Sequence, residues 1–391
     1  MKLKKLFNKN TGIFLIVSLI ILLTSCNNIN DSSSLKNKEV TNINDIKDVV
    51  IEENYKEAFG DININIIKAE LDEERPWAQL NISDKGEIFG FAPSNNGKDT
   101  ETFIYDINSN KLETIYIAKD DYEPIFLEFN EDYLVWEEGI STESNMNSRL
   151  VIYDRKEKTS KILYNHDNIS MAITDDYLAL GNDYVLWSSG EADDNANTTE
   201  YKIYKYDIKS GNISIFKEEG VMPVIGNDFI AWLGPNSDRT QSEIYYNNLK
   251  DGSISSIPTE YNPIYLAASG DSLVYSEFDG NSKHKISVYE NGIGKEIGTS
   301  NTDYFEFSDV SDNFISWRGT DKVRVYDKKL NKIVDVSDEF GAYATVYVSN
   351  KYIVWNSPVI TDPQLGKKKA IDQGIYLSYL HIINIDDIEK K

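Results

Sequence analysis

Cysteine occurs once, at Cys26, so no internal disulfide can form. Histidine occurs three times, at His166, His284 and His381, far apart and at unlike positions in the pattern described below. A zinc centre or a nucleophilic triad needs such residues to converge with thiolates or carboxylates. Neither a metal nor a catalytic residue is expected on this ground. A Gly-rich phosphate-cradling loop and a Gly-x-Ser-x-Gly elbow are also missing, and no cofactor is expected. Positive charge is scarce: 40 Lys and Arg stand against 64 Asp and Glu, for a formal charge of -24. The first 25 residues hold four lysines and no acid, which leaves -28 on the remainder. Phosphate backbones and anionic headgroups repel such a body, so nucleic acid is not an expected partner. Cationic ligands, metal ions or basic proteins suit its field, although solubility alone also accounts for the charge.

Long hydrophobic runs are absent with one exception. Lys2 to Lys9 is basic, Gly12 to Leu23 is apolar but short for a bilayer span, and Leu23-Thr24-Ser25-Cys26 follows at once. This order resembles the signal peptide and lipobox of bacterial lipoproteins. The resemblance implies that residues 1–25 are removed and that Cys26 is acylated, leaving the body lipid-anchored to the cell membrane on its extracytoplasmic face. Residues 26–42, rich in Asn, Ser and Asp, read as a flexible tether. Residues 43–60 form a lead-in with Ile46, Val49, Val50 and Phe59 near helical spacing and Gly60 as its stop; a lead-in strand is the alternative.

What is abundant is aromatic and β-branched side chain, with 25 Tyr, 15 Phe and 6 Trp, and it recurs. A polar turn, an aromatic or aliphatic residue, two small or aliphatic ones and a terminal Trp or Tyr end at Trp136, Trp187, Trp232, Tyr275, Trp317 and Trp355. Successive spacings are 51, 45, 43, 42 and 38 residues, the period of a four-stranded propeller blade. Companion strands follow, such as Ile152-Tyr153-Asp154 and Val325-Tyr326-Asp327, each closed by a polar turn. The second strand of each unit is apolar on both sides, as blade-on-blade packing requires, so these Trp and Tyr residues read as packing. An earlier unit at Leu80 to Phe91 makes seven. The last unit lacks an outermost strand, and alternating Ile62 to Ile67 is the natural segment to complete it and close the ring. The expected fold is all-β, a single seven-bladed β-propeller over residues 61–391, with six and eight blades as alternatives.

Ser83-Asp84-Lys85-Gly86-Glu87-Ile88-Phe89-Gly90-Phe91 resembles the opening of TolB-like, WD40-like propeller repeats, and the Ile-Tyr-Asp companions resemble the strand that follows there. The resemblance covers roughly Ile62 to Ile385 and implies fold and, in general, protein binding in the envelope. It implies no catalytic residues.

Function is sought in the loops joining second and third strands, Glu137 to Ser148, Ser188 to Glu200, Leu233 to Ser242, Ser276 to Lys283, Arg318 to Asp321 and Asn356 to Gln373, whose lengths vary on a regular scaffold. Glu137, Glu138, Asp193, Asp194, Asp238, Arg239 and Arg318 are the candidate ligand-binding residues. Asp106-x-Asn108-x-Asn110 has oxygen ligands at calcium-loop spacing but lacks the Gly and the closing Glu, and reads as a hairpin turn. The leading expectation is a non-enzymatic binding module for a protein, peptide or cell-wall polymer. The alternatives are a hydrolase or lyase acting on polysaccharide through two carboxylates converging on the axis, and a structural component of an envelope complex.

Overall fold

The computed structural model describes residues 51–389 except 69, 72–74, 96–97, 120–121, 142–144, 171–176, 194–197, 302–304, 319–322, 337–345 and 361–375. Residues 1–50, which hold Cys26 and the segments expected to be signal peptide, tether and the first part of the lead-in, lie outside these, as does Asp194.

Seven sheets, each with a four-stranded antiparallel core, follow one another along the chain. Their innermost strands are Ala78–Ile82, Glu123–Phe129, Leu178–Leu180, Val221–Ile225, Asn262–Ser269, Glu306–Val310 and Tyr347–Val348. Each touches the innermost strand of the next sheet, and the seventh touches the first, so the sheets are blades of a closed ring. The protein is a seven-bladed β-propeller.

The recurring stretch is the second strand of every blade, and its terminal aromatic is core. Trp136 and Trp355 are fully buried, and Trp187, Trp232, Tyr275 and Trp317 nearly so. Edge-to-face partners come from outer strands, as in Tyr116 on Trp136 at 5.3 Å and Phe216 on Trp232 at 5.8 Å. In the first blade Gly90 stands in that register. A Cβ there would come within 2.8 Å of the Ala78 carbonyl oxygen and 3.0 Å of the Phe103 ring, and Trp77 packs edge-on to Phe103 at 5.3 Å to fill the space.

The ring closes as alternation in Ile62 to Ile67 leads one to expect. Ile64–Lys68 is the outermost strand of the seventh blade, antiparallel to Tyr376–Asn384, with Ile64 opposite Ile383 and Lys68 opposite Tyr379. The lead-in divides between its two readings. Ile51–Asn54 adds a fifth strand to the sixth blade, parallel to Lys332–Asp335, and Glu53 meets Lys332 at 2.8 Å. Asn54 then caps a single helical turn, Tyr55–Phe59, accepting from the N–H groups of Lys56 and Glu57 at 3.0 and 3.2 Å. Gly60, at φ 75°, ends it.

Two ends of the ring follow from this connectivity. At one end lie the turns joining first to second and third to fourth strands. At the other lie the hairpins joining second to third strands, with the links between blades.

Candidate functional site

The hairpins between second and third strands differ from the expected loops, because the strands run on. Tyr133–Ser141 pairs with Asn145–Asp154, and Tyr184–Asp193 with Thr198–Asp207, which leaves only 142–144 and 194–197 between them. Continued pairing satisfies backbone groups that a loop would have to give to water. Glu137 and Glu138 are therefore strand residues rather than loop residues, and both are buried. Glu138 is fully buried and ion-paired to Arg149, and it accepts from the Tyr116 hydroxyl at 3.2 Å and from Trp136 Nε1 at 3.4 Å. Burial pushes its carboxyl up, against the pull of Arg149. The Arg149 guanidinium in turn lies 4.0 Å from the centre of the Tyr122 ring.

Asp193 ends its strand opposite Thr198, and Arg318 ends its strand opposite Val323. Asp238 and Arg239 sit in the exposed turn after Pro235. The Thr240 hydroxyl, at 2.5 Å, holds the Asp238 carboxyl below the usual range, and Arg239 pairs with Glu219. All of these share one end of the ring but come from different blades. Asp106 is an Asx turn, accepting from Asn108 N at 2.8 Å and Ser109 Oγ at 2.8 Å, in line with the hairpin reading. His284 stacks on Phe278 at 4.5 Å and His381 on Trp355 at 5.1 Å.

A cavity lies at the opposite end, on the propeller axis, and has a volume of about 780 Å³. Its mouth is ringed by the turns that open each recurring stretch, and their polar side chains tie blade to blade. Asn130 Nδ2 reaches the Gly181 carbonyl at 3.2 Å, Asn227 Nδ2 donates to Asp271 Oδ1 at 3.1 Å, and Asp312 N donates to the side chain of Asn350 at 3.0 Å. Asn350 continues to Asp84 in the first blade, at 2.6 Å from its backbone N–H.

Below the mouth, one position of six of the seven inner strands lines the cavity, the residue paired with the one before the Trp register. In the first six blades it is Asn81, Glu128, Ala179, Val224, Ala267 and Asp309. Two carboxylates thus stand on blades two and six, flanking an apolar arc on blades three to five. Asp309 accepts from Val348 N at 2.8 Å and Val310 N at 2.9 Å. Among the described residues the Glu128 side chain has neither a hydrogen-bond nor an ion-pair partner, and it is exposed to the channel. Enclosure by the ring pushes its carboxyl up to about 8, with repulsion from Asp309 adding to this. Enclosure likewise raises Asp309 to about 7, opposed by its two backbone donors.

Deeper still, Phe126, Tyr177 and Tyr265 form an aromatic cluster at the inner end, with centroids 5.5 and 5.7 Å apart. Tyr177 precedes blade three and Tyr265 belongs to blade five, so their contact reaches across the fourth. Sequence reasoning named none of the cavity residues as a candidate binding residue. Their signal was present as an aligned column of inner-strand positions in which two of the seven are acidic.

No protein-family model matches the sequence, and no curated protein matches it. Solved structures do. TolB from Acinetobacter baumannii is similar at 11% identity and a TM-score of 0.45, over 62% of this chain and 60% of its own. Oligogalacturonate lyase from Vibrio parahaemolyticus is similar at 9% identity and a TM-score of 0.50, over 82% and 96%. The β-propeller domain of the Trilobed protease from Pyrococcus furiosus, which has an open velcro topology, is similar at 14% and 0.51, over 67% and 84%. This chain spans 60% of the length of that TolB. At such identities the likeness is one of fold, and the chain takes its place among the β-propeller proteins.

Proposed function

We propose that the protein is a lipid-anchored, extracytoplasmic binding module that recognises a protein, peptide or cell-wall polymer through the hairpin end of its ring. The observation that carries the reading is the unequal reach of the second-to-third-strand hairpins. Blades two, three and seven extend second strands of nine, ten and nine residues, against five in blade six. Stiff arms of unequal length on a rigid ring make a shaped surface, as recognition requires. The anchor reading rests on the basic, apolar and Leu-Thr-Ser-Cys order of the N-terminus.

Crosslinking on intact cells, followed by purification and mass spectrometry, tests this. The reading expects a defined partner that is lost when the 188–200 hairpin is shortened, and loss of membrane retention in Cys26→Ala. Recovery of the same material from the shortened variant overturns the hairpin surface.

The carboxylate pair on the axis favours a second reading, a hydrolase or lyase acting on polysaccharide. Oligosaccharide cleavage abolished by Glu128→Gln would establish it. An anionic polysaccharide would meet the repulsion of a strongly acidic body.

A further inference from the structure

The axial cavity combines three features that converge on one ligand chemistry. Its volume, about 780 Å³, lies within the range of small-molecule sites. On its wall two carboxylates, Glu128 and Asp309, flank the apolar arc of Ala179, Val224 and Ala267. Its inner end carries the aromatic cluster of Phe126, Tyr177 and Tyr265, and ring faces suit a cation as well as a methylene chain.

The other charged groups that border the cavity are committed elsewhere. Lys85 pairs with Glu131, Arg155 with Glu87 at 2.6 Å, and Asp84 holds Asn350; Asp183 lies in the exposed turn at the rim. No described cation is paired with Glu128, and the Asp309 carboxylate takes only backbone donors. A bare metal ion is poorly served here, because the two carboxylates come from opposite walls and no group of three or more His, Cys, Asp or Glu suited to a metal is found among the described residues.

We infer that the axial cavity binds an alkylammonium group, its charge between Glu128 and Asp309 and its methylenes against Ala179, Val224 and Ala267. The class includes a free aliphatic diamine and the side chain of lysine in a peptide. The raised carboxyls give the site a proton linkage: at neutral pH the empty pair retains protons, and an entering ammonium displaces them to the buffer. Affinity therefore rises with pH from about 6 to about 8. The inference goes beyond the binding-module reading and concerns the other end of the ring, so partner capture by the hairpins and amine binding on the axis fail independently.

Calorimetric titration of the full chain tests it, with 1,5-diaminopentane, Nα-acetyl-lysine methylamide and the neutral isostere 1,5-pentanediol. The diamine is expected to bind with a heat that depends on the ionisation enthalpy of the buffer, and pentanediol is not expected to bind. Binding of the lysine derivative as well identifies the source as a peptide side chain; binding of the diamine alone identifies a free amine. Glu128→Gln, which removes a charge without removing any hydrogen bond from the fold, is expected to weaken binding at least about tenfold. Asp132→Asn, an exposed turn acid outside the cavity, is the control for diffuse attraction to an acidic body. No saturable binding overturns the inference. So does equal affinity for pentanediol, or equal weakening by Asp132→Asn.

Discussion

Asn350 in the seventh blade gives both its backbone N–H and its side-chain amide to Asp84 in the first, at 2.6 and 3.2 Å. The two residues lie 266 positions apart in the chain and are neighbours only because the ring closes. The contact is exposed, so its worth is limited by competition with water. Asp84→Ala is expected to cost about 1 kcal/mol and to lower Tm by roughly 2–4 °C. Thermal melting followed by circular dichroism checks this; an unchanged Tm would mean that the turns merely abut.

The stronger closure is the strand Ile64–Lys68. Removing residues 51–68 strips the outer edges of blades six and seven and exposes the Tyr376–Asn384 edge, an invitation to pairing between molecules. The truncated protein is expected to associate with rising concentration, as light scattering would report, and to melt at lower temperature than the complete chain. A monomeric truncation with an unaltered melt would show that the ring holds without its latch.

Arg149→Met removes the cation from beside fully buried Glu138. Stranding one member of a buried pair costs about 3–5 kcal/mol. Glu138 is already raised by burial, and without Arg149 it rises further, so the variant is most stable below the unfolded carboxylate pKa and loses stability as pH rises through the folded value. Urea denaturation at pH 5 and pH 8 should show the defect growing at the higher pH. A defect independent of pH would place it in packing.

Glu128 and Asp309 make a pH dependence of their own. Both are raised in the folded state, to about 8 and about 7, from unfolded values near about 4. The native protein therefore binds more protons than the unfolded chain across that window, and its stability falls as pH rises through it. Glu128→Gln removes one of the two groups and should flatten the decline of Tm between pH 5 and pH 9. A slope unaltered by the substitution would place the linkage in other groups.

The blades were legible because their determinants are local in sequence. Trp136, Trp187, Trp232, Tyr275, Trp317 and Trp355 return at blade period because six of the seven blades bury a large aromatic at the same register. Ile62 to Ile67 was readable as a latch, observed as the strand Ile64–Lys68, because an alternating strand without a neighbour in sequence needs one elsewhere. Glu137 and Glu138 misled, since charge in sequence suggests a loop while Arg149, eleven residues on, lets a strand bury it. The axial cavity was illegible for a different reason. Glu128 and Asp309 are 181 residues apart, each one of two acids in a short inner strand, among 64 acids in the chain. By itself the sequence determined the repeat, its strands and its acidity. Only ring closure decided which acids share the axis, because closure brings inner strands from opposite blades around one enclosed volume.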